Sequence, residues 1–124
     1  MTANNPVANR LDSLFAAIDS KDTETFLGHL TADGVFRFGS APALEGKEFV
    51  RAGVDGFFKS IAGSKHVLRN VLGNDGTLVC EGIVTYYRHD GTEVTVPFTN
   101  VFETDGDLIS EYKIYIDISP LYAE

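Results

Sequence analysis

An α+β fold is predicted by three features of the 124-residue sequence. Apolar residues recur at helical spacing through its first half. From Lys65 onward the period changes to two. The period-two runs are separated by Asn74-Asp75-Gly76, Asp90-Gly91 and Asp105-Gly106, residues that tolerate the positive φ of tight hairpins. Helices followed by a meander of strands pack as one layer on another.

The elements follow in order. Residues 1–6 read as a loose N-terminus of a single domain spanning 1–124. Val7, Leu11, Leu14, Phe15 and Ile18 form one face of a first helix. Asp22 is the expected N-cap of a second, with Phe26, Leu27 and Leu30 as its buried stripe and Asp33-Gly34 as the turn that ends it. Val35–Phe38 is a short strand, and 39–46, with Pro42, is a loop or irregular hairpin. Lys47–Ala62 repeats helical spacing with Val50, Val54, Phe57, Phe58 and Ile61, and Gly63 stops it. Gly53 and Gly56 inside this helix are expected to permit close packing. Four strands follow over Lys65–Leu72, Thr77–His89, Glu93–Glu103 and Asp107–Ile118.

Side-chain alternation assigns the faces. His66, Leu68, Asn70 and Leu72 point inward, as do Leu78, Cys80, Gly82, Val84 and Tyr86. Val94, Val96, Phe98, Asn100 and Phe102 form the inner face of the next strand, and Tyr112, Ile114 and Ile116 that of the last. The inner surface is thus apolar with a polar minority, His66, Asn70, Tyr86, Asn100 and Tyr112, as in a ligand pocket. The alternative is a closed core in which those groups satisfy one another.

Composition narrows the function. A formal charge of −8 disfavours nucleic acid. The apolar runs are too short for a membrane span, and polar, Asn-rich Met1–Arg10 is unlike a signal peptide. A single cysteine, Cys80, fits a reducing cytoplasmic setting. No His, Cys or carboxylate spacing points to a metal, and no phosphate- or dinucleotide-binding glycine motif points to a cofactor.

Several stretches carry a family resemblance. They are Leu30-Thr31-Ala32-Asp33-Gly34-Val35-Phe36-Arg37-Phe38, the Gly46 turn, His66-Val67-Leu68-Arg69-Asn70, and the ending Asp105–Asp117. With the order of elements, they make the chain resemble the SnoaL-like branch of the nuclear transport factor 2-like (cystatin-like) superfamily. The resemblance implies three N-terminal helices on a strongly curved sheet, a cone enclosing a pocket. Its members include polyketide cyclases, ketosteroid isomerases, epoxide hydrolases and non-catalytic binding or dimerisation modules.

Their catalysts do not carry over. The five polar positions of the epoxide hydrolases correspond to Phe36, Phe38, Gly82, Val84 and Ile114. The His and Asp of the cyclases correspond to Asn100 and Ile114. Near Ser40 there is no carboxylate for the isomerase base; Glu45 lies further on. Among what remains, His66 is the best acid–base candidate, because histidine titrates near neutrality. Asp117 is a second candidate catalyst if a bulge turns it inward; strict alternation points it out. Asn70, Asn100, Tyr86, Tyr112, Phe36 and Phe38 are the expected substrate-binding residues. The expected ligand is a hydrophobic, oxygen-bearing small molecule, handled by proton-transfer chemistry of isomerase, cyclase or dehydratase type. A non-catalytic binding or adaptor module is the alternative. Val67, Val71, Ile83, Tyr87, Val101 and Tyr115 make the outer face of the sheet apolar enough to expect a homodimer there.

Overall fold

The computed structural model describes residues 5–123. A 3-10 turn, Pro6–Arg10, leads into helix α1, Leu11–Asp19. Next come α2, Thr23–Leu27, β1, Leu30–Phe38, β2, Leu44–Glu45, and α3, Lys47–Ser60. The meander is β3, Gly63–Gly73, β4, Thr77–Tyr87, β5, Glu93–Asp105, and β6, Leu108–Ile116. A last turn of helix, α4, spans Ser119–Tyr122. The six strands form one sheet in the order β2-β1-β6-β5-β4-β3. β1 runs parallel to β6; every other pair is antiparallel. The α+β architecture and the N-terminal helices stand as expected.

Local chemistry explains the boundaries. The Asp22 carboxylate accepts from the Thr25 N–H at 3.2 Å and caps α2, as expected. The predicted first helix is split, its first turn being 3-10, because Pro6 enters from Asn5. Asn5 is buried: its Oδ1 accepts from the Val7 N–H at 2.8 Å, and its Nδ2 donates to Asn74 O at 2.7 Å and Thr104 Oγ1 at 3.1 Å. The expected loose segment is therefore anchored from Asn5 onward; its first four residues lie outside the described ones. Asp33-Gly34 does not end a helix. It sits in an irregularity within β1, where Leu30 pairs with Ile109 but Val35 pairs with Glu111. The predicted loop holds β2, whose Leu44 pairs with Phe36. Gly53 is a close approach, since a Cβ there would lie 2.4 Å from Leu44 Cδ1; Gly56 has open space around it.

The inner face holds for β4, β5 and β6. Leu78, Cys80, Val84, Tyr86, Val96, Phe98, Asn100, Phe102 and Tyr112 are all buried, and Asn100 pairs with Ile114. β3 differs in its second half. Leu68 pairs with Gly82, but Asn70 pairs with Glu81, so Arg69 is an extra residue in a bulge. Directly paired residues share a face. Val71, opposite buried Cys80, therefore packs on the core, while Asn70 and Leu72 turn outward. Gly82 makes room for this approach: a Cβ there would lie 2.0 Å from Val67 O.

Candidate functional site

Between the helices and the concave face of the sheet lies a pocket of about 380 Å³. Aromatic side chains dominate its wall, Phe26, Phe36, Phe38, Phe57, Phe58 and Phe98 among them. None of the lining residues carries a fixed charge. Its polar members are His66, Tyr86, Asn100 and Tyr112. Phe26 and Phe57, which helical spacing places inside, form part of the wall and leave the cone hollow.

His66 is held from three directions. Its Nδ1 lies 2.6 Å from Asp19 Oδ1, and its backbone N–H donates to Asp19 Oδ2 at 2.9 Å. Phe15 covers the ring at a centroid distance of 4.9 Å, and Phe98 meets it edge-on at 5.3 Å. Ser64 Oγ donates to Asp19 Oδ1 at 2.8 Å. Burial pushes the Asp19 carboxyl up, but the hydrogen bonds from the His66 ring and backbone, with that of Ser64, outweigh it and hold the group below its ordinary 3.8. A carboxylate at that position makes Nδ1 the protonated nitrogen of a neutral ring. Nε2, which has no hydrogen bond among the described residues, is then the basic one.

Asp19 went unnoticed in the sequence, although it carries a signal. It is the last residue of α1, where a carboxylate opposes the helix dipole. An acid in that place, one residue after the apolar Ile18, needs a partner, and 47 residues later β3 supplies one.

The two phenols are deeply set. Tyr112 is 1 % exposed and packs on Phe102, Phe26 and Phe36. Tyr86 packs on Phe57. Burial pushes both hydroxyls up, so each is a proton-bearing donor across the ordinary pH range. Tyr86 pairs with Ser64 and His66 with Val84, which makes Tyr86 and His66 diagonal neighbours on one face. Cys80 lies beside Asn100 across β4 and β5; burial pushes its thiol up to about 12, against a smaller opposing pull from the Asn100 amide and backbone N–H.

Of the eight residues expected at the site, His66, Asn100, Tyr86, Tyr112, Phe36 and Phe38 meet in one pocket. Asn70 does not. The β3 bulge turns it to the outer face, where its amide donates to Glu81 Oε1. Asp117 does not either. No bulge reverses it; it is exposed, and its carboxylate accepts the Ser119 N–H at 3.0 Å just ahead of α4. His29 is 2 % exposed, with Nδ1 3.0 Å from Thr25 O. His89 lies at a turn, with Nε2 2.9 Å from Lys59 O.

The family model of the SnoaL-like domain matches residues 11–112, which carry every pocket residue named above. The chain belongs to the SnoaL-like family. Solved structures agree with that assignment in fold. An NTF2-like protein of unknown function from Burkholderia pseudomallei superposes with a TM-score of 0.84 at 14% identity, covering 98% of this chain and 95% of its own. TerC, co-crystallised with polyporic acid, gives 0.81 at 14% identity over 94% of this chain and 95% of its own. An LEH-like epoxide hydrolase from M. tuberculosis gives 0.78 at 14% identity over 94% and 86%. No curated protein matches the chain in sequence. Among the described residues no helix is long and apolar enough to cross a membrane.

Proposed function

We propose that this SnoaL-like domain binds a neutral, largely apolar, oxygen-bearing small molecule in the cone and moves a proton on it, with His66 as the base. The observation that carries the reading is the Asp19–His66 pair, in which Asp19 backs a histidine on the wall of a pocket whose lining carries no fixed charge. Nε2 takes a proton from a carbon next to a carbonyl. The imidazolium that forms is held by the Asp19 carboxylate, and the enolate oxygen accepts from a buried phenol, Tyr86 being the nearer along the sheet. Return of the proton to a different atom completes an isomerisation; in a dehydration a C–O bond β to the carbonyl breaks as the enolate collapses, and the imidazolium gives its proton to the departing hydroxyl, which leaves as water. TerC, which shares the fold, was co-crystallised with polyporic acid, a parallel for an oxygen-bearing small molecule only.

The test uses 2-tetralone, a neutral bicyclic ketone with an acidic C–H. Its C1 hydrogens are followed by NMR in D2O with the protein present. Acceleration is expected, falling by about 10²- to 10⁴-fold in His66→Phe. No acceleration by the parent protein overturns the base assignment.

A second reading has its own observation. Asn100 and Ile114 stand where the cyclases of this family carry their His and Asp, which favours a binding module without turnover. It predicts that 2-tetralone raises the melting temperature without hydrogen exchange. On the outer face Val67, Tyr87 and Tyr115 are 42%, 37% and 56% exposed, and a homodimer through that face is part of the proposal. Light scattering that gives a monomer at tens of micromolar, an ordinary range for dimer affinities, removes it. The lone buried thiol of Cys80 supports a cytoplasmic setting.

A further inference from the structure

The proton-transfer reading leaves one pocket residue without a task. Asn100 is 2% exposed on the pocket wall, yet its Oδ1 has no hydrogen-bond partner among the described residues. The amide and backbone N–H groups of the same residue face the Cys80 sulfur, which leaves the carbonyl oxygen as the uncommitted end. A buried acceptor without a donor is costly, and a ligand that brings a donor recovers that cost.

The register separates this oxygen from the base. His66 pairs with Val84 and Asn100 with Cys80, four residues along β4, or roughly 13 Å along the strand. Phe98, opposite Gly82, lies between the two levels. The Asn100 level is the deeper one, with fully buried Tyr112 beside it on β6, two residues from Ile114.

We propose that Asn100 Oδ1 is a specificity determinant that accepts a hydrogen bond from a hydroxyl of the bound molecule, at the opposite end of the pocket from His66. The ligand class is therefore an apolar ring system with a hydroxyl at the end remote from its reacting carbon. This inference rests on the reading of the cone as a small-molecule pocket, and it holds whether or not the protein turns the ligand over.

The experiment measures the affinity of four probes, 2-naphthol, naphthalene, 2-methoxynaphthalene and 2-acetylnaphthalene, by calorimetry. The parent protein is expected to bind 2-naphthol about tenfold more tightly than the other three, the effect of one buried hydrogen bond. Asn100→Leu is expected to abolish that preference and keep affinity for naphthalene. Asn100→Val serves the same purpose if the leucine variant does not fold. His66→Phe is expected to retain the preference. Equal affinities in the parent, a preference that survives both Asn100 variants, or one lost only in His66→Phe overturns the assignment and leaves the pocket reading intact. A preference for 2-acetylnaphthalene also overturns it, because the amide then presents its N–H. Failure of all four probes to bind overturns the pocket reading and this inference together.

Discussion

Asp19 and His66 stand 47 residues apart in the chain and meet with Oδ1 2.6 Å from Nδ1. The same carboxylate also receives the His66 backbone N–H and the Ser64 hydroxyl. One acid at the end of α1 thereby pins the start of β3 and selects the tautomer of a pocket base. The neutral ring is expected to carry its proton on Nδ1 and to present a bare Nε2. Imidazole ¹⁵N shifts read this directly. An Nε2–H tautomer in the parent protein contradicts it, and Asp19→Asn is expected to mix the two forms.

The same contact sets an acid limb of stability. The folded carboxyl of Asp19 titrates below its ordinary 3.8, so its contribution is fully present above that value. It is lost as pH falls through the lower, folded value. Asp19→Asn is therefore expected to be less stable than the parent at neutral pH, with the gap closing as the solution is acidified below 3.8. Urea melts at stepped pH measure the gap. A gap that widens toward acid has the wrong sign for this pairing.

At Gly82 the β3 backbone leaves no room for a side chain on β4. A methyl group there would lie 2.0 Å from Val67 O and 3.0 Å from Leu68 Cα, both backbone atoms that cannot rotate away. Gly82→Ala is expected to cost about 3 kcal/mol, the upper end for overpacking, by urea denaturation. Gly56→Ala, with nothing within 4 Å of its added carbon, is the control and is expected to stabilise α3 by up to about 1 kcal/mol.

Cys80 is fully buried, and its thiol is pushed up to about 12. Thiolate is the reactive form, so the native protein at neutral pH is expected to resist an aromatic disulfide reagent. One equivalent of thiol is expected to react once the chain is unfolded in denaturant. Fast labelling of the native state refutes the burial argument.

The N-terminal anchor is also measurable. Asn5 caps the first turn and ties it to Asn74 and Thr104 through one side chain. Asn5→Ala is expected to cost about 2 kcal/mol, as for a strong cap with buried partners. Thermal melts that coincide with the parent contradict this.

Which elements form and, for most of them, which face is buried can be read from neighbouring residues alone. The periods of 3.6 and two and the Asp-Gly turns are local properties, written in neighbouring residues. They place Tyr86, Asn100 and Tyr112 inside correctly, because alternation runs uninterrupted through β4 and through the paired stretches of β5 and β6 that hold them. They misplace Asn70, because an extra residue in β3 inverts everything after it, and a bulge is decided by the partner strand: here, by Gly82 offering no side chain against Val67. Asp117 shows the reverse case, where no bulge occurs and alternation holds. That the cone is hollow and that Asp19 stands behind His66 emerges only from long-range packing. The pairing depends on how α1 lies across β3 and the hollow on how α2 and α3 stand over the sheet, relations between segments distant in the chain that none encodes alone.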